Sequence, residues 1–173
     1  MFIAPTPDSA DARLRALRQL EILDTEAEVQ FDALAKAASL VCGVPISLVS
    51  LIDLDRQWSK ANIGLEQTQE TSRHIALCSH AILQDDLFKV PDALADERFH
   101  DNPLVTDDPY IRFCAGVPLV STGGAHVGTL YVIDREPRIL NPQQKQILVH
   151  LAKVISHVLE IRRITRNAEH SAA

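Results

Sequence analysis

The spacing of apolar residues changes period several times along this chain. Leu14 and Leu17 share a helical face, which predicts a helix from Ala10 to Leu20 with Asp8 or Ser9 as its cap. Phe31, Leu34, Ala35, Ala38 and Val41 recur at helical spacing and predict a second helix. Thr25 and Glu28 stand in a capping-box pattern at its start, and Gly43 closes it. Ile46 to Ile52 is nearly continuous apolar chain, which predicts a central strand covered on both faces. Asp53–Leu54–Asp55 is a turn, and Arg56 to Ile63 is the returning arm of a hairpin that ends at Gly64.

Residues 64–112 lose this regularity. A short helix is expected around Leu77 to Leu83, a short strand at Phe88–Lys89–Val90, and a helical turn from Pro91 to Ala95. Asp101–Asn102–Pro103 and Asp107–Asp108–Pro109 carry turn chemistry. A stretch this long and irregular inside a domain is usually functional. Strand patterns return at Phe113 to Val120 and His126 to Ile133, joined by the tight loop Ser121 to Ala125. Asn141, Pro142 and Gln144 then open a helix expected to reach about Asn167. The fold class is therefore α+β. It should be a central antiparallel sheet of five or six strands, with N- and C-terminal helices on one face. A roof of loops and short helices on the other face would leave a pocket for a small molecule. Residues 1–8 read as a loose arm, 9–161 as the domain, and 162–173 as a helical extension.

Composition narrows the function classes. The 173 residues carry a net charge of −6 with only 17 lysines and arginines, so no electrostatic footprint for nucleic acid is present. No apolar run approaches the roughly 20 residues of a membrane span, and no secretory signal pattern occurs. Cys42, Cys78 and Cys114 are odd in number and dispersed, which argues for a reducing compartment, and a cytoplasmic location is expected.

Several phrases resemble GAF domains of the type found at the front of bacterial sensor kinases and diguanylate cyclases. They are Leu20 to Thr25, Ile46 to Asp53 with Asp55–Arg56–Gln57–Trp58, Cys78–Ser79–His80–Ala81–Ile82, and Val90 to Ala93. Arg98 to Val105, Ala115 to Leu119 and Gly128 to Asp134 complete the series. The resemblance spans about residues 9–161. It implies a bacterial signalling module with terminal helices on one side of the sheet and a ligand pocket on the other.

The chemistries known in that family make different demands on these residues. The cyclic-nucleotide signature is absent, since Asn102 is followed by Pro103 and Asp96–Glu97 precede it. Cys78 and His80 superficially match a bilin attachment site, but residues two apart on a helix do not share a face. Free methionine sulfoxide reduction needs an attacking and a resolving cysteine, and Glu70 to His74 supplies no partner for Cys78. The dispersed Cys42, Cys78, His80 and Cys114 do not have metal-site spacing, and no histidine stands out as a haem ligand. The ligand and any cofactor remain unassigned. The candidate pocket residues are Trp58, Cys78, His80, Arg98, Phe99, Asn102, Arg112, Phe113 and Cys114. For Arg98 and Asn102 the alternative is a purely structural role in holding roof loops.

The last helix bears two stripes. Ile147, Leu151, Val154, Val158 and Ile161 follow a 4-3-4-3 spacing, and Leu148, Ile155 and Leu159 form a second, adjacent row. One row should pack on the sheet and the other on a partner helix, giving a homodimer; the alternative is a single wide stripe buried within the monomer. The expectation is a non-enzymatic regulatory domain that binds a small molecule, dimerises, or both. Its output would be a kinase or cyclase, as a separate protein or on a chain of which this is a part. The rivals are a pure dimerisation module and a thiol-dependent reductase.

Overall fold

Burial on both faces places the central strands. The computed structural model describes residues 1–5, 10–65 and 68–173. Helices α1 (Ala10–Gln19) and α2 (Val29–Cys42) lead into the hairpin β1 (Ile46–Ile52) and β2 (Arg56–Ile63). β3 (Glu70–Ser72), α3 (Cys78–Ala81), β4 (Phe88–Val90) and α4 (Pro103–Thr106) follow. The hairpin β5 (Phe113–Val120) and β6 (His126–Asp134) precedes the long α5 (Pro142–Ala172). One six-stranded sheet results, in the order β3-β2-β1-β6-β5-β4, with antiparallel pairing throughout.

Every residue of β1 is buried, as its unbroken apolar run requires. Side chains alternate between faces, so two cores form. Val49, Leu51, Ala115, Val117, Leu130 and Val132 meet α1, α2 and α5 on the helix side. Ile46, Leu48, Ile52, Cys114, Tyr131 and Ile133 meet α3, Phe88, Phe99 and Val105 on the roof side. β1 and β6 approach so closely that a Cβ on Gly128 would stand 2.0 Å from the Ser50 carbonyl oxygen.

Several expectations are corrected. The Thr25–Glu28 capping box does not form: Glu28 flanks α2 without a side-chain cap, and Thr25 donates instead to the Ile22 carbonyl at 2.5 Å. The reason is a stronger competitor for Glu28, the Lys60 ammonium at 2.6 Å. β3 is an added strand, too short and too polar to announce itself by alternation. The proposed caps Asp8 and Ser9 lie outside the described residues. The arm is not loose over its described part: the Met1 amino group pairs with Asp101, and the Phe2 N–H donates to the Arg98 carbonyl at 3.4 Å. Gly43 does end α2, at φ 64°, and Asn141 with Gln144 does form a capping box on α5.

Gly128→Ala should lower stability by about 1–3 kcal/mol, since backbone must move to admit the methyl group. Gly123→Ala, with nothing within 4 Å of the new Cβ, should change it by less than about 0.5 kcal/mol. Urea denaturation of the two variants reads this contrast directly.

Candidate functional site

The roof is built from α3, β4 and the irregular segment between β4 and β5. His80 leaves α3 and meets Phe99 edge-on at 4.9 Å and Phe88 in a stacked arrangement at 6.2 Å. The Arg98 guanidinium lies over both rings, 5.2 Å from Phe88 and 4.9 Å from Phe99, and Asp96 holds it at 2.7 Å. Burial, then the positive charge of Arg98, lowers the pKa of His80, so its imidazole is neutral at physiological pH. Asn102 caps α4 by accepting from the Leu104 N–H at 2.9 Å, and its amide donates to the Ile75 carbonyl at 3.0 Å. Arg112 donates to the Val105 carbonyl at 2.8 Å. Asn102 and Arg112 therefore staple roof loops together, while His80, Arg98 and Phe99 form one aromatic and cationic cluster.

Two candidate pocket residues do not belong to this face. Trp58 pairs with Leu51 across the β1–β2 ladder and lies in the helix-side core, and Phe113 shares the phase of Ala115, Val117 and Leu119. Strand alternation, invisible until register is known, turns both away from the roof. Cys78 and Cys114 do lie in the roof-side core, whereas Cys42 is on the helix side. The Cys78 thiol donates to the Gln57 side-chain oxygen. Burial, then the neighbouring Cys114, pushes the Cys78 thiol far up. Burial raises Cys114 to about 12 and Cys42 to about 11. Thiols held protonated in this way are poor nucleophiles. Among the described residues, no group of three or more His, Cys, Asp or Glu side chains could hold a metal ion, and no helix is long and apolar enough to cross a membrane.

The two stripes of α5 separate in space. Leu148, Ala152, Ile155 and Leu159 are buried against the sheet side. Ile147, Leu151 and Val158 are partly covered, and Val154 and Ile161 remain 46% and 62% exposed. Ile164 continues the exposed row at 55%. Val29 and Leu40 add apolar surface on the neighbouring α2, 82% and 68% exposed.

A polar network that sequence reasoning missed fixes where α5 leaves the domain. The register of β1 and β2 shifts between Val49 and Ser50, so Lys60 has no partner across the ladder and projects into the helix layer. Its ammonium is fully buried and reaches Glu28 at 2.6 Å, Thr25 Oγ1 at 2.8 Å and the Glu26 carbonyl. Glu28 also accepts from Arg162 of α5 at 2.8 Å, and Arg162 donates to the Leu20 and Glu21 carbonyls at 3.1 Å each. The helical extension therefore does not start at residue 162: Arg162 is still docked, and the free part begins after it. A lysine inside a strand that is otherwise buried was the one available signal for this network.

Burial raises the pKa of Glu28, but its bonds to Lys60 and Arg162 outweigh that and leave it below the usual value. A depressed carboxylate stabilises the fold above its unfolded pKa, about 4.3, and that contribution is lost as pH falls through the lower folded value. Glu28→Gln should therefore be less stable than the parent at pH 7, with the difference shrinking below about pH 4; urea unfolding at both pH values measures it. A thiol reagent such as dithionitrobenzoate at pH 8 should leave all three cysteines unmodified in the folded protein and modify all three in denaturant. A thiol that reacts rapidly in the native state would contradict the burial described.

Residues 26–159 match the model of the GAF domain. The chain is 40% identical over 156 residues to a cyclic di-GMP phosphodiesterase of Pseudomonas aeruginosa, covering 90% of this chain. The match spans only 26% of that relative's length. Among solved structures, the GAF domain of an Acinetobacter phosphoenolpyruvate-protein phosphotransferase aligns with a TM-score of 0.64 and 19% identity, covering 90% of this chain and 98% of that one. The blue-light-absorbing form of the Thermosynechococcus elongatus PixJ GAF domain aligns at 0.65 and 18%, covering 96% of each. At such identities the structural likeness speaks for the fold alone. The family match over most of its length places this chain in the GAF domain family, and the sheet order and structural likeness agree with that fold.

Proposed function

We propose that this domain is a regulatory input module that pairs with a second copy through the outer faces of α2 and α5 and passes its state along α5 to an effector. The observation that carries this reading is the exposed apolar row Val154, Ile161 and Ile164, which runs past the last docked residue, Arg162. An apolar row of this length on a lone helix gains stability by burial against a partner. The similarity to part of a cyclic di-GMP phosphodiesterase supports an effector that acts on that second messenger, in place of the kinase or cyclase expected from sequence. The buried, protonated thiols support a regulatory over a reductase role, and a cytoplasmic setting is part of the same proposal.

Small-molecule binding at the roof is a second reading, supported by the half-exposed Arg98 guanidinium and neutral His80 over two aromatic rings. These groups suit a planar ligand with an anionic edge. Native mass spectrometry of protein purified from its own host should then show a retained small molecule, and an empty protein would count against this second reading.

The dimer is tested with the double variant Val154→Glu with Ile161→Glu. Analytical ultracentrifugation should show a dimer for the parent and at least a tenfold weaker association for the variant, with unchanged helical content. A parent that stays monomeric at high micromolar concentration would overturn the reading.

A further inference from the structure

We propose that a slot on the helix side of the sheet, between β4, the β6–α5 connection and the first turns of α5, binds a small amphipathic carboxylate. The slot encloses about 240 Å³, and its floor is the buried pair Phe113 and Leu140. Ile139 stands at its mouth, 85% exposed, an apolar side chain that a bound apolar body would cover. Lys89, Arg138 and Lys145 also line it. The charge of Arg138 is answered by Asp134. Lys89 and Lys145 form no ion pair among the described residues. Two lysines without an ion pair among the described residues thus border an apolar slot in a chain whose net charge is −6.

These features fix the chemistry of the occupant. The floor offers no polar group, so the inserted part must be apolar, and the volume lies below the roughly 300–1,000 Å³ of drug-sized sites. A bicyclic ring or a short acyl chain fits that space. The two lysines then select an anionic head at the mouth over a neutral one. The larger cleft beside β5 and α5 gives no such direction, because Asp85 and Glu160 share it with Lys153 and His157. Lys89 belongs to the edge strand β4 and Lys145 to α5, so one carboxylate between them would tie the sheet edge to the output helix. The site is separate from the roof and from the exposed face of α5, and it stands whether or not either proposed reading does.

The test titrates 2-naphthoate and its neutral analogue 2-naphthamide into the isotopically labelled domain, followed by nuclear magnetic resonance and calorimetry. Naphthoate should bind with shifts centred on Phe113, Ile139 and Leu140, and naphthamide should bind several-fold more weakly. The variant Lys89→Gln with Lys145→Gln, both at the surface, should weaken naphthoate by about three- to tenfold and leave naphthamide unchanged. The proposal is overturned by absence of naphthoate binding at millimolar concentration, by equal affinity in parent and variant, or by shifts confined to the roof or to the exposed row of α5.

Discussion

The domain depends on one constraint: the central strands are buried on both faces. A strand in that position cannot spare a face for water, so each of its residues is assigned to the helix-side or the roof-side core by alternation alone. The helix-side core takes the bulk of the aliphatic packing, and it seats α5 through Leu148, Ala152, Ile155 and Leu159. The roof-side core takes the chemistry-bearing groups, Cys78, Cys114, Tyr131 and Phe99. The sheet therefore separates the roof-side core from the helix-side core while touching both.

On the helix side, the link between the sheet and α5 is ionic as well as apolar. Lys60 sits at the one register shift between β1 and β2, and from there its ammonium reaches the loop that joins α1 to α2. Glu28 on that loop holds Lys60 of the sheet and Arg162 of α5 at once. Removing one member of such a set would leave another buried charge without compensation, which costs more than the set itself contributes. The exit point of α5 is thus tied to the geometry of β2. A displacement of β2 would be felt there.

Much of the fold was legible in the sequence because periodicity and cap chemistry are local. β1, β2, β4 and β5 fall where the apolar pattern puts them, and the capping box at Asn141 and the glycine stop at Gly43 form as their residue types demand. The candidate site was only partly legible. His80, Arg98 and Phe99 do gather, yet Trp58 and Phe113 face the other way, because which side a strand residue faces depends on register with partners far along the chain. Glu28 misled for a related reason. Its local pattern with Thr25 is a capping box, but a distant lysine, 32 positions along, makes the stronger bond. Long-range electrostatics of this kind leave no periodic trace.

The central proposal is that α5 joins two copies and carries their state onward to an effector. With the native thiols buried, a single spin label can be placed on a cysteine substituted for Glu169, in the free part of α5. Double electron–electron resonance then measures the distance between labels in solution. The account predicts one short, narrow distance, since paired helices lie about 8–10 Å apart between axes. The absence of any dipolar coupling between protomers, at concentrations where the domain is otherwise folded, would contradict it.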